Sequence, residues 1–195
     1  MQMRPVFFYK PLPPQPSEAS GRWWFNVWTP AAIAVAIICV ESTDTFSSQN
    51  TSSFLRPILE RWFGHIQDSS WELYHHYLRK TGHFIGYGLV AFTFLRAWLH
   101  TLTQRGPSTL IVWRLESSIL AILSTAIVAS CDEYHQTFIP SRTGSPYDVL
   151  LDTCGATMLC ILVWLICWRK QPSSTELSAA EVPAPSPSHR SGGAA

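Results

Sequence analysis

Four apolar stretches without any Asp, Glu, Lys or Arg constrain the fold of this chain more than any other feature of its sequence. Each is 15 to 18 residues long, which corresponds to roughly 22–27 Å of α-helix. The hydrocarbon core of a bilayer is ~30 Å thick, and flanking Lys and Arg side chains can reach the headgroups from slightly short helices. The sequence therefore predicts an all-α integral membrane bundle of four transmembrane helices, at residues 23–40, 81–95, 117–131 and 153–168.

The composition agrees with a lipid bilayer as the surroundings of the chain. Charged residues make up 14% of the 195 residues, whereas a soluble globular protein carries roughly 25%. Trp residues cluster near the ends of the apolar stretches, as interfacial anchors do. Buried helices in a soluble protein are the alternative, and they explain fewer of these features. A net charge of +1 argues against a nucleic-acid partner, because such proteins concentrate basic residues on one face.

Polar tails flank the apolar region. Residues 1–21 are rich in Pro, and residues 169–195 are rich in Pro, Ser, Ala and Gly. Both tails are predicted to be disordered, which leaves one membrane domain at residues 22–168. The first tail is too long for the leader of a cleaved signal peptide, so we expect a retained first helix. The side of the membrane that carries both tails has nine Lys and Arg residues, and the other side has five. This difference predicts cytoplasmic termini.

The loop between the first two apolar stretches, at residues 41–80, contains two helix signals. Apolar residues recur at helical spacing opposite three charged residues, which predicts an amphipathic interfacial helix in this first outer loop. For the role of this loop, a simple lid that covers the bundle is at least as good an interpretation as ligand binding. Next, Ser69 and Glu72 form a capping-box pattern, which predicts a helix that starts there and runs through Lys80 into the second span. The amphipathic pattern consists of Phe54, Leu55, Ile58, Leu59, Trp62 and Phe63 opposite Arg56, Glu60 and Arg61.

Rows of small residues on the apolar stretches indicate where helices pack against each other. On the second stretch, Gly82 and Gly86 are spaced for a close helix neighbour. On the third, a row at every fourth position leads to the acidic residue Glu133, and on the fourth a similar row starts at Asp148 and Asp152. Polar residues that end such rows should point into the bundle at a shared outer opening. The third row is Ser117, Ala121, Thr125 and Ala129, and the fourth continues with Ala156 and Cys160.

The side chains expected at this opening are candidates for ligand binding. Arg can hold a carboxylate or a phosphate through two parallel hydrogen bonds, and a desolvated carboxylate can act as a general acid or base. Asp132, Glu133 and His83 are the candidates for catalysis. The structural alternative is that Arg142 pairs with Asp148 or Glu133 to fix the turn, or that Asp148 caps the fourth helix. The candidate ligand-binding residues are Lys80, His83, Tyr87, Asp132, Glu133, Gln136, Arg142 and Asp148, with Asp152 as a further member.

No segment shows the spacing of a metal or cofactor site. The five cysteines form no CxxC pair, which argues against a disulfide framework and a zinc module. His75 and His76 are adjacent, so on a helix their side chains diverge by about 100°, and there is no HExxH motif. We therefore expect no metal and no cofactor.

The polar motifs resemble those of the VanZ-like family. The resemblance lies in residues 79–84 with Tyr87, in residues 132–142, and in residues 148–152 with Gly155. It implies a small multi-pass protein of the bacterial cytoplasmic (inner) membrane, in a family whose founding member gives low-level resistance to the glycopeptide teicoplanin. It implies no known reaction. Two positions depart from the usual pattern, with Ser141 in place of Gly and Asp152 in place of Asn.

These observations lead to two functional hypotheses. The preferred one is a role in the cell envelope or in low-level teicoplanin resistance, through an outward-facing polar site for an anionic lipid-linked or peptidoglycan-type ligand. The alternative is a membrane-embedded enzyme that acts on such a substrate, with Asp132 or Glu133 as acid and base. The sequence favours binding over catalysis and leaves the oligomeric state open.

Overall fold

The computed structural model describes residue 7 and residues 21–44, 47–105, 108–140 and 142–168, without the side chains of residues 48 and 49. Most of both predicted disordered tails therefore lies outside the described residues. Phe7 is an exception, since its ring stacks on Phe92 with 4.7 Å between the centroids. Its carbonyl oxygen also accepts a hydrogen bond from Trp168 Nε1.

All regular elements of the described residues are helical, as the sequence predicts. α1 and α4, together with α5 and its π-helical continuation, are long and apolar enough to cross a membrane. The remaining predicted span lies within α3, where His83, Tyr87 and several glycines reduce the hydropathy. The helices are α1 (Gly21–Glu41), α2 (Ser48–Phe63), α3 (Asp68–Leu102), α4 (Leu110–Gln136) and α5 (Pro146–Val163), with a π-helical turn at Trp164–Trp168.

α3 is the central helix of the bundle, because it packs against α1, α4 and α5, and α4 also packs against α5. The row of small residues predicted on α4 faces these neighbours, and all four of its members are fully buried. Asp152, Ala156 and Cys160 of the row on α5 are buried as well. Consecutive helices of α1, α3, α4 and α5 run in alternating directions. The end of α1, the end of α4 and the start of α5 therefore meet at one end of the bundle, called here the polar end.

The close glycine contact between α3 and α5 differs from the predicted one. A Cβ atom on Gly155 of α5 would collide with the backbone carbonyl of Phe84 on α3. Gly88, one turn further along α3, lies against the carbonyl of Gly155 in return. The predicted pair was wrong for this role. Among the described residues, a Cβ atom on Gly82 would meet no atom of another element within 4 Å, and one on Gly86 would meet only a side-chain atom of α1 at 3.9 Å. α5 crosses the face of α3 that carries Phe84 and Gly88 instead.

The loop between α1 and α3 contains the predicted amphipathic helix, α2. Ser47 caps its start, and Gly64 ends it with a φ of 82°, a conformation that other residues rarely adopt. Hydrogen bonds that join α2 to α3 run from Trp71 Nε1 to Ser52 (2.6 Å), between Thr51 and His75 (3.1 Å), and from Arg56 Nη2 to Asp68 Oδ1 (2.6 Å).

α3 runs unbroken through Lys80, as the sequence predicts. The capping box predicted for its start was wrong. The helix begins at Asp68 with Gln67 at the N-cap and without a side-chain cap. Ser69 therefore lies inside the first turn, where it cannot cap the helix.

Candidate functional site

A cavity of about 320 Å³ opens at the polar end of the bundle and is called here the polar cavity. Residues of α3, α4, α5 and the α4–α5 loop line it. Six of the eight predicted ligand-binding residues are among them, namely Lys80, His83, Glu133, Gln136, Arg142 and Asp148. The remaining two, Tyr87 and Asp132, line a much smaller adjoining cavity that also touches His83 and Arg142.

Asp132 is held by hydrogen bonds below the polar cavity. Its Oδ2 accepts a hydrogen bond from the Tyr87 hydroxyl at 2.9 Å and another from Gln136 Nε2 at 3.0 Å. All three side chains are buried. A buried carboxylate needs such donors to offset the loss of its hydration. Asp132 thus connects α3 to α4 and supports the cavity from beneath.

Glu133 joins α4 to the loop that follows it. Its Oε2 accepts the backbone N–H of Ser145 at 2.8 Å. Its Oε1 has only a long contact of 3.5 Å with Gln136 Nε2, and the residue lines the polar cavity. Gly144 fits closely here, since a Cβ atom at that position would collide with the carbonyl of Glu133. One carboxylate oxygen of Glu133 is therefore fixed by the protein, while the other has capacity for a ligand.

Lys80 and Asp148 form an ion pair between α3 and the first turn of α5. The negative charge of Asp148 is favourable there because it lies at the positive end of the helix dipole. The hydrogen-bonding cap of α5 is Ser145, whose side chain accepts the N–H of Tyr147. Asp148 therefore stabilises the start of α5 through its charge, as the sequence predicts, while Ser145 provides the hydrogen-bonding cap.

Arg142 binds backbone carbonyls instead of a carboxylate. Its Nη2 donates to the carbonyl oxygens of Glu41 at 2.8 Å and Thr43 at 2.9 Å. The alternative in which Arg142 pairs with Asp148 or Glu133 was therefore wrong. Carbonyls at the end of a helix lack intrahelical partners and carry partial negative charge, and α1 ends at Glu41. Arg142 is 8% exposed, and its Nε is buried without a hydrogen-bond partner.

Three ionisable side chains meet at the base of the polar cavity. The ligand atoms of His83, Glu133 and Asp152 all lie within 4.8 Å of one another. Asp152 is completely buried, and its Oδ1 lies 3.6 Å from His83 Nδ1. Of the described residues, these three form the group that could hold a metal ion. They come from α3, α4 and α5, so no spacing within a single segment could have revealed them.

An apolar groove of about 410 Å³ adjoins the polar cavity between α2 and α3. Arg79, His83 and Arg142 line both spaces. The groove is otherwise bordered mainly by apolar side chains, which include Leu55 of α2 and Leu78, Ile85 and Leu89 of α3. A polar and an apolar surface therefore meet at these three shared residues.

A model of the VanZ/LLP1 family matches residues 27–168. The chain belongs to the VanZ/LLP1 family. The matched region includes the polar cavity with all its lining residues, and it confirms the family resemblance that the polar motifs indicate. No curated protein and no solved structure matches the chain.

Arg79 is a cavity residue of this VanZ/LLP1 protein that the candidate set omitted. It is half-buried and lines the polar cavity. Among the described residues, no carboxylate lies within ion-pair distance of it. Burial is the main cause that lowers the pKa of Arg142 from its usual value, and the like charge of Arg79 is the second. The two guanidinium groups therefore interact electrostatically. The signal for Arg79 was its place beside Lys80 at the start of the α3 motif.

Proposed function

We propose that this VanZ/LLP1 protein crosses the bacterial cytoplasmic membrane four times and binds the anionic group of a lipid-linked envelope component in its polar cavity. The fourth crossing would be residues 81–95 of α3. This part of α3 packs against α1, α4 and α5, which are each long enough to span. We expect a helix that packs against three such spans to cross the bilayer together with them. The distribution of Lys and Arg supports an outward-facing polar end with both termini in the cytoplasm.

The amphipathic helix α2 would lie in the outer interface of the membrane. Its Phe54, Trp62 and Phe63 are 69–80% exposed, and large apolar side chains favour the boundary between headgroups and acyl chains. Its polar side is occupied within the protein, since Arg56 donates to Glu60 and to the carbonyl of Ile66. This arrangement supports α2 as one wall of the apolar groove at the level of the headgroups.

The pair of guanidinium groups at the polar cavity is the observation that carries the proposal. Arg79 has no carboxylate partner among the described residues, and Arg142 has a buried Nε without an acceptor. An unsatisfied buried donor costs roughly 1–3 kcal/mol, which an anionic oxygen would recover. Phosphate and carboxylate are the groups that guanidinium binds best, because its N–H donors match their geometry.

The shape of the site favours a lipid over a soluble anion. A cavity of about 320 Å³ is at the small end of ligand pockets, so it suits a phosphate or diphosphate head. The adjoining apolar groove suits the beginning of a hydrocarbon chain. Arg79 and Arg142 lie at the junction of the two spaces, where the head of such a lipid would meet its tail.

Native mass spectrometry of the purified protein tests this proposal directly. The probe is a polyprenyl diphosphate, and diacylglycerol serves as the neutral lipid for comparison. We expect the wild-type protein to retain the diphosphate lipid, and Arg79→Gln to lose at least ten-fold in affinity. Arg61→Gln removes an exposed cation on α2 and should bind like the wild type. Equal retention of both lipids, or equal losses in both variants, would refute the proposal.

The same incubation separates binding from catalysis. Glu133 lines the cavity with one nearly unoccupied carboxylate oxygen, so it is the residue through which the enzyme alternative can be examined. Recovery of a chemically altered lipid from the wild type, and of unaltered lipid from Glu133→Gln, would select the enzyme. Recovery of unaltered lipid from both supports binding alone.

A role in teicoplanin resistance is tested in cells. A deletion strain challenged with teicoplanin should regain its resistance with the wild-type gene and not with Arg79→Gln at equal membrane abundance.

A further inference from the structure

The group formed by His83, Glu133 and Asp152 has a property that the anion-binding proposal leaves unexplained. Both carboxylate oxygens of Asp152 and the Nδ1 of His83 are buried without a hydrogen-bond partner. His83 Nδ1 and Asp152 Oδ1 are 3.6 Å apart, which is within ion-pair distance when His83 is protonated but too long for a hydrogen bond. A buried carboxylate that lacks donors is costly, so an unsatisfied group of this kind requires a compensating partner.

Two cations of the polar cavity, Lys80 and Arg142, are directed elsewhere. Lys80 pairs with Asp148, and the Nη2 of Arg142 donates to two backbone carbonyls. The negative charges of Asp152 and Glu133 therefore meet no Lys or Arg in ion-pair contact among the described residues. A bound cation would satisfy both carboxylates and the imidazole at once.

The chemistry of the three side chains specifies the kind of cation. One imidazole nitrogen and two carboxylates form a mixed nitrogen and oxygen ligand set, which suits divalent transition metals such as Zn²⁺, Mn²⁺ and Fe²⁺. Three protein ligands leave at least one coordination position open. His83 and Glu133 line the polar cavity, so the open position would face the cavity.

The geometry requires a modest contraction. Ligands at about 2.1 Å from one ion lie roughly 3–3.5 Å apart, whereas the atoms here lie within 4.8 Å of one another. Rotation of the side chains closes this difference when it brings the ligand atoms up to about 1.5 Å closer together. Glu133 is already oriented by the N–H of Ser145, as metal-ligating carboxylates commonly are by surrounding donors.

We infer that His83, Glu133 and Asp152 bind one divalent transition-metal ion at the base of the polar cavity. Only the role of the ion in the cavity rests on the proposed function. In that role, the ion adds positive charge below the site where the lipid anion binds. It is a site that the sequence did not predict, because its three ligands belong to three helices.

Metal analysis of the purified protein tests the inference in the absence of any lipid. A chelator first removes any bound metal, and the protein is then dialysed against Zn²⁺ or Mn²⁺ alone. The bound metal is measured by inductively coupled plasma mass spectrometry. We expect about one equivalent bound by the wild type, and at least a ten-fold loss of affinity in Asp152→Asn and in Glu133→Gln. Glu72→Gln is the control, since it removes an exposed carboxylate of α3 that does not line the polar cavity, and it should retain the metal.

A thermal-unfolding measurement keeps the test decisive if a variant folds poorly. Added metal should raise the unfolding midpoint of the stripped wild type and leave that of Asp152→Asn unchanged. An unchanged wild-type midpoint together with no bound metal would overturn the inference. Lipid binding measured in the presence of chelator distinguishes the two proposals, because the guanidinium groups remain when the metal is absent. Reduced but measurable lipid binding under chelator is the expected result.

Discussion

Replacement of Arg142 by Ala should weaken both the fold and the binding of anions, whereas replacement of Arg79 by Ala should weaken binding alone. The two guanidinium groups share one cavity and differ in their protein contacts. Arg142 makes two hydrogen bonds to carbonyls near the end of α1, at 2.8 and 2.9 Å. Arg79 lines the cavity without a carboxylate partner among the described residues.

The magnitude follows from these contacts. A hydrogen bond to a charged group contributes about 1.5–3 kcal/mol, so the two bonds of Arg142 together contribute about 3–6 kcal/mol. Removal of its unsatisfied Nε returns roughly 1–3 kcal/mol. The midpoints of these two ranges give a net loss of unfolding free energy of about 2.5 kcal/mol for Arg142→Ala. Arg79→Ala should change it by less than about 0.5 kcal/mol, as for substitutions away from packed or hydrogen-bonded groups.

Unfolding of the purified variants in one detergent, followed by circular dichroism, provides the stability values. Binding of the polyprenyl diphosphate is measured on the same preparations. The expected pattern is a lower unfolding free energy and weak binding for Arg142→Ala, and a wild-type unfolding free energy with weak binding for Arg79→Ala. An Arg142→Ala protein as stable as the wild type would refute the contact between the α4–α5 loop and α1.

Two further predictions concern the fold and its position in the membrane. Gly155→Ala should lower the unfolding free energy by about 1–3 kcal/mol, because its Cβ would meet the rigid backbone of Phe84. Gly86→Ala should leave it equal or slightly higher, since Ala favours helix, and an equal effect of both changes in unfolding experiments would contradict the packing. Brominated lipids should quench a smaller part of the tryptophan fluorescence in Trp62→Phe than in the wild type, because Trp62 is 79% exposed. Trp113→Phe should not reduce this part, since Trp113 is 1% exposed, and unchanged quenching in Trp62→Phe would place α2 away from the lipid.

Patterns within a single helix were sufficient to predict much of the fold. The row at every fourth position of α4 identified the buried face correctly, because helical periodicity alone decides which residues share a face. The glycine contact between α3 and α5 could not be predicted in the same way. Gly82 and Gly86 have the spacing of a packing pair, but the rotation of α3 about its axis turns Gly88 towards Gly155.

The composition of the site was predictable, and its contacts were not. Polar residues at the ends of buried rows indicated the convergence of α3, α4 and α5, which depends only on which faces are buried. The partner of Arg142 is the backbone of α1, and backbone carbonyls leave no signal in a sequence. The place of Arg79 in the polar cavity was missed for a related reason, since a residue without a carboxylate partner contributes to no recognisable pair.

Cysteine labelling in intact cells tests the central claim, an open cavity on the outer side of the membrane. The five native cysteines are replaced, and Thr143→Cys is introduced at the exposed edge of the polar cavity. Arg105→Cys, exposed at the opposite end of the bundle, is the control. We expect a membrane-impermeant maleimide to label Thr143→Cys in intact cells, more slowly when the polyprenyl diphosphate is added, and to label Arg105→Cys only after permeabilisation. Labelling of Arg105→Cys alone in intact cells would contradict the account.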